Sequence, residues 1–96
     1  MAKYIVLVSW TEQGIKAVKD SPARADKVRQ MGQGLGVKME QLFLVMGDCD
    51  MVAVVDAPDD AAMAKFALNI GMAGHVRTRT MRAFTEDEYR SILGSL

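Results

Sequence analysis

Two apolar runs, Tyr4–Val8 (YIVLV) and Met51–Val55 (MVAVV), constrain this chain more than anything else in it. A strand turns successive side chains to opposite faces, so a strand wetted on one face alternates apolar with polar residues. Neither run alternates, and both therefore ask for cover on two sides. A chain of 96 residues, half of them apolar, can bury one modest core, which predicts a single domain over residues 1–96. Such a chain has few elements with which to cover a sheet twice.

In chain order, Lys3–Trp10 reads as a strand buried on both faces. Thr11 can cap a first helical turn, and Ser21-Pro22 restarts or bends the helix with proline where a missing N–H costs nothing. The helix runs to about Gly34, with Ala25, Val28, Met31 and Leu35 on one face, and glycines 32, 34 and 36 end it. Val37–Met46 is the second strand, with Val37, Met39, Phe43 and Val45 on one side and Lys38 and Glu40 on the other. Gly47-Asp48-Cys49-Asp50 is turn chemistry and predicts a hairpin into Met51–Val55. Pro58 and Asp59 stop that strand, Asp59 or Asp60 caps a helix, and Met63, Phe66, Ala67 and Ile70 form its apolar stripe before Gly71 and Gly74. His75–Phe84 alternates as a polar edge strand, with His75, Arg77, Arg79 and Met81 on one face. Thr85 and Glu88 form a capping box for a short C-terminal helix striped with Tyr89, Ile92, Leu93 and Leu96.

The order βαββαβ plus a terminal helix belongs to the α+β class. Strands one and three are apolar on both faces, whereas two and four carry charges. An antiparallel four-stranded sheet in the order 4-1-3-2 puts the apolar pair at the centre and the charged pair at the edges. Two helices cover only one face of it. A second copy of the chain is the simplest cover for the other, so the expected partner is the chain itself.

Twelve basic residues balance twelve acidic ones, so nothing in the charge favours a nucleic-acid backbone. The single Cys49 offers no intramolecular disulfide, and a reducing cytoplasm is the simplest location. Tyr4–Val8 is too short to cross a membrane and lacks the flanks of a targeting segment. No phosphate loop, dinucleotide fingerprint or nucleophile elbow is present, so no cofactor is expected. Met46, Cys49, Met51 and His75 are soft donors without paired ligand spacing, and no metal is expected either.

In the 4-1-3-2 sheet, strands one and two end at the rim where three and four begin. Trp10, the turn at 47–50, Met51 and Gly74-His75 should gather there. His75 and Asp50 are the candidate catalytic acid and base, and Trp10 and Arg77 the candidate ligand-binding residues, the guanidinium suiting a small anion. One strand separates the third from the fourth, so His75 and Asp50 should start about 10 Å apart at about 4.8 Å per strand. A ligand could span that; a direct hydrogen bond could not. Blander roles are a solvated strand-edge histidine, a turn aspartate bonded to nearby amides, and an arginine that solvates the edge or pairs with a carboxylate. Flanking Asp48 and Asp50 discourage a thiolate at Cys49.

Three stretches, TEQGIKAVKDSPAR (11–24), VVDAPDD (54–60) and VRTRTMRAF (76–84), together resemble the GYD domain family along nearly the whole chain. The family's naming motif corresponds to Gly47, Cys49 and Asp50, with one residue inserted after the glycine and cysteine in place of the usual tyrosine. His75 stands where asparagine is common. The resemblance implies a single GYD-like domain, a ferredoxin-like chain that pairs as a dimeric α+β barrel, and no particular activity. The expected function is a cytoplasmic homo-oligomeric binding or interaction module with a small-molecule cleft. The alternative is a cofactor-independent enzyme, an isomerase or oxygenase acting on a small aromatic or carbonyl compound. A third class is a regulatory domain in a larger assembly.

Overall fold

A computed structural model describes residues 1–96. The strands are β1 (Ala2–Trp10), β2 (Lys38–Leu44), β3 (Met51–Ala57) and β4 (Val76–Ala83), paired antiparallel throughout in the order β2-β3-β1-β4. Read from the other edge this is 4-1-3-2, the ferredoxin-like α+β sheet, with the charged strands at its edges. The first helical region is broken into α1 (Glu12–Lys16), a 3₁₀ turn (Val18–Asp20) and α2 (Ser21–Gln33), with Pro22 in the first turn of α2. Between β3 and β4 runs α3 (Asp60–Met72), whose first turn is closed by Asp59 accepting the Ala62 N–H at 2.8 Å. The chain finishes with α4 (Glu86–Gly94).

Alternation sorts the two central strands into two faces. Tyr4, Val6 and Val8 of β1 and Ala53, Val55 and Ala57 of β3 are buried, packed with Met63 and Phe66 of α3 and with Val37. Between them, Ile5, Leu7, Val52 and Val54 point the other way and are only partly covered. That second face carries no helix.

Two glycines set how closely helices approach the sheet. A Cβ on Gly32 of α2 would lie 2.9 Å from both the Phe66 ring and the Val37 carbonyl, and one on Gly14 of α1 would lie 1.9 Å from the His75 carbonyl oxygen. Only glycine allows either contact.

The strand β2 departs from the sequence-based expectation. It is shorter than Val37–Met46, and its register shifts between Met39, opposite Val55, and Gln41, opposite Val54. The extra residue reverses the alternation beyond it, as a β-bulge does. Leu42 therefore joins the helix-covered face opposite Ala53, while Phe43, expected on the side of Met39, moves to the open face opposite Val52. The open face thus gains Phe43, and it gains Met81 from β4 opposite Ile5. Lys3 closes one end of it, with its ammonium 3.0 Å from Glu40 and 3.1 Å from Asp56.

The capping box of α4 forms as read: Thr85 Oγ1 accepts the Glu88 N–H, and the Glu88 carboxylate accepts the Thr85 N–H at 2.9 Å. That backbone N–H holds the Glu88 carboxyl below its usual range. The apolar stripe of α4 is not covered by its own chain, and Tyr89, Ile92 and Leu93 are all exposed. No helix is long and apolar enough to cross a membrane.

Candidate functional site

The strand-end rim is built by backbone geometry more than by side-chain chemistry. Asp50 accepts the Trp10 N–H on Oδ2 at 2.9 Å, donates its own N–H to the Val8 carbonyl at 2.9 Å, and accepts the Val45 N–H on its carbonyl at 2.9 Å. It fastens the β2–β3 connection to the end of β1. On the other side of β1, the Thr11 N–H donates to the His75 carbonyl at 3.0 Å and the Thr11 hydroxyl donates to the Gly74 carbonyl at 2.7 Å. Gly74 adopts φ +84, a left-handed turn that suits glycine, and so delivers His75 to the entry of β4. Cys49 in the connection is half-buried rather than exposed.

The four residues singled out from the sequence occupy three places. Asp50 sits in the rim, with its carboxylate engaged by backbone. No hydrogen bond joins it to His75. Trp10 is half-buried beside it, borders a cavity of about 450 Å³ with Val18, Pro22, Leu44 and Met51, and has a buried indole N–H without a partner. His75 lines a larger cleft, about 470 Å³, between α2, α3 and the helix-covered face of the sheet. Its Nε2 lies 3.5 Å from Gln13 Nε2, and its Nδ1 is buried without a partner. Arg77 is exposed on the opposite, open face, paired across the ladder with Ser9. The expected sharing of one face by His75 and Arg77 fails because His75 precedes the first strand residue, Val76, and escapes the strand's alternation.

Sequence reasoning missed the cleft-lining residues Arg24, Lys27 and Asn69, which belong to helices read only for their apolar stripes. Arg24 is tied to α1, donating to the Ala17 carbonyl at 3.0 Å and to the Gly14 carbonyl at 3.5 Å. Lys27 has no carboxylate partner. A second missed pair is Tyr4 with Asp60, where the phenol donates to the carboxylate at the start of α3. That bond, with burial second, pushes the Tyr4 hydroxyl above its ordinary range. The adjacent Asp59 and Asp60 were the signal, since one cap needs one aspartate.

Similarity to known proteins runs along the same length of chain. A Thermus thermophilus protein named glutamine synthetase and cystathionine beta-lyase binding protein is 33% identical over 84 residues, covering 86% of this chain and 88% of that one. Among solved structures, the Mycobacterium tuberculosis leucine response regulatory protein is similar with a TM-score of 0.65 at 18% identity, over 88% of this chain and 51% of that one. The M. tuberculosis feast or famine regulatory protein, complexed with L-methionine, gives 0.66 at 18% identity with the same coverage of 88% and 51%. A crystal structure of a T. thermophilus protein gives 0.59 at 22% identity, over 88% and 95%. The chain spans about half the length of the two mycobacterial regulators, and at these identities the likeness is one of fold. The GYD domain model matches residues 4–93, and the chain belongs to the GYD domain family.

Proposed function

We propose that this chain is a cytoplasmic homodimeric module that pairs through the open face of its sheet and binds other proteins. The observation that carries the pairing is the uncovered patch of Ile5, Leu7, Val52 and Val54, extended by Phe43 and Met81, which are 50% and 47% exposed. Burying a fully exposed side chain of this kind gains about 1.5–3 kcal/mol, and these half-covered ones stand to gain the remaining part of it. Two copies placed face to face would exclude water from both patches and form a dimeric α+β barrel.

Support for protein binding comes from the Thermus relative, whose name describes a binder of glutamine synthetase and cystathionine beta-lyase. Folded enzymes are accordingly the partner class for this chain. For the isomerase or oxygenase alternative, the Asp50 carboxylate is a weak candidate base, since its Oδ2 already accepts the Trp10 amide. His75 and Trp10 act instead as walls of small-molecule clefts, and Arg77 as an anion contact on the pairing face. Native mass spectrometry tests the pairing: a dimer at micromolar concentration is expected, and a folded monomer sinks it. Co-elution with each of the two enzymes from the same organism tests the partner class, and absence of both complexes rejects it.

A further inference from the structure

We propose that the cleft between α2, α3 and the sheet binds an amphipathic monocarboxylate, with its apolar tail between the helices and its carboxylate at the Lys27 and Arg24 side of the mouth. This deepens the small-molecule part of the reading above and does not depend on dimerisation.

At one end of the cleft, Gly32 seats α2 directly against Phe66 and Val37; at the other, Gly14 seats α1 against the His75 backbone. At the Gly32 end α2 already touches the Phe66 ring of α3, and the cleft lies beyond that contact. Small side chains, Ala25, Ala53 and Ala73, leave it unfilled. Its volume of about 470 Å³ lies within the range of about 300–1,000 Å³ typical of small-molecule sites. The cleft opens to solvent, so a guest would displace water from mostly apolar walls.

The lining specifies the guest. Val28, Met31, Ile70 and Val76 offer aliphatic surface without a polar atom. Among the lining residues there is no Asp or Glu, whereas Arg24 and Lys27 are both present. Lys27 is the free cation of the two, since Arg24 is committed to the carbonyls of Ala17 and Gly14. An anionic head is therefore favoured there over a neutral or cationic one. His75 also lines the cleft, and its Nδ1 is buried without a partner. Aliphatic and aryl-alkyl carboxylates share this chemistry.

Calorimetric titration of the full-length protein with octanoate, 4-phenylbutanoate and octan-1-ol tests the assignment, with melting curves and light scattering on the same samples. One carboxylate per chain is expected, and whichever acid binds better identifies the tail. Lys27→Gln should weaken the carboxylates about two- to fivefold and leave octan-1-ol unchanged, the scale of one exposed charge contact. Ala25→Phe should fill the cleft and abolish binding of all three. No heat with either acid at millimolar concentration, or wild-type affinity in an Ala25→Phe protein that melts normally, overturns the proposal. Should Ala25→Phe fail to fold, Lys27→Gln decides: unchanged carboxylate affinity overturns it. Binding that appears only in an Ile92→Ser/Leu93→Ser variant also overturns it, because α4 of a second copy would then be the natural occupant. A monomer that still binds octanoate separates this site from the pairing reading and leaves it standing.

Discussion

The two faces of the sheet are made of the same material and end in different environments. On β1, Tyr4, Val6 and Val8 are 4%, 4% and 8% exposed, while Ile5 and Leu7 between them remain partly open. On β3, Val55 is fully buried and Val54, its neighbour, is not. Side-chain hydrophobicity cannot account for this, because the residues belong to one class. Cover does: α2 and α3 lie on one face, and nothing of this chain lies on the other. One face is thus completed by folding, whereas the other stays open in the single chain, and under the proposed pairing substitutions on the two should fail in different ways.

The largest effect is expected at Val55. Val55→Asp places a carboxylate in the fully buried cluster of Tyr4, Val6, Ala57 and Phe66, a desolvation cost of several kcal/mol against a total stability of about 5–15 kcal/mol. Circular dichroism should show loss of cooperative folding, and a melt near that of the wild type would mean that this face is not the core. Val54→Asp, one residue away, should instead abolish pairing while the chain stays folded, since the charge is buried only when two faces meet. Light scattering should report a monomer with near-native circular dichroism. If Val54→Asp unfolds the chain as Val55→Asp does, the contrast between the faces collapses.

Much of this contrast was legible in the sequence. Unbroken apolar runs at Tyr4–Val8 and Met51–Val55 state that both faces are hydrophobic, and the charges on the other two strands place those strands at the edges. Strand direction alone brings Trp10, Asp50 and His75 to one rim. The face of Phe43 was not legible, because the bulge beside Glu40 breaks a period of two without leaving a glycine or proline to mark it. The cleft was hidden for another reason. It lies beyond the close approach of α2 to Phe66 at Gly32, and spacing along a chain does not disclose which glycines serve as contacts rather than as breaks. Similarly, His75 and Arg77 part company over a strand boundary that lies one residue later than alternation suggests.

An intermediate effect is expected at Tyr4, where the covered face meets the start of α3. Its hydroxyl is held in the protonated form by Asp60, so its folded-state pKa lies above that of the unfolded chain. The resulting stabilisation is complete below the ordinary tyrosine pKa of about 10 and is lost as pH rises through the higher folded-state value. Tyr4→Phe should cost about 1 kcal/mol near neutrality through the lost hydrogen bond. The melting temperature of the variant should then fall less steeply than that of the wild type above about pH 10. Parallel declines would show that the phenol bond is immaterial and that ring burial alone holds Tyr4.

The smallest effect, and the one that sharpens the open face most, belongs to Arg77. Two carboxylates of its own chain that might have paired with it are engaged, Asp56 with Lys3 at 3.1 Å and Asp50 with the Trp10 amide at 2.9 Å. Its guanidinium makes no ion pair within the chain. Sitting opposite Ser9 on the uncovered face, it is placed to meet a carboxylate of a second copy or a small anion held near the seam. A contact at the rim of such an interface is worth about 0.2–1 kcal/mol, so Arg77→Ala should weaken the dimer no more than about fivefold. Arg77→Lys keeps the charge but loses the two parallel donors that fit a carboxylate. Sedimentation equilibrium of the three proteins, with retained anion measured by native mass spectrometry, separates the possibilities. Weakening by both substitutions with no anion retained makes Arg77 a seam residue. Loss of a retained anion from an intact dimer makes it a binding residue. If both variants match the wild type in both measurements, Arg77 only solvates the edge of β4, and the open face is held by its apolar centre alone.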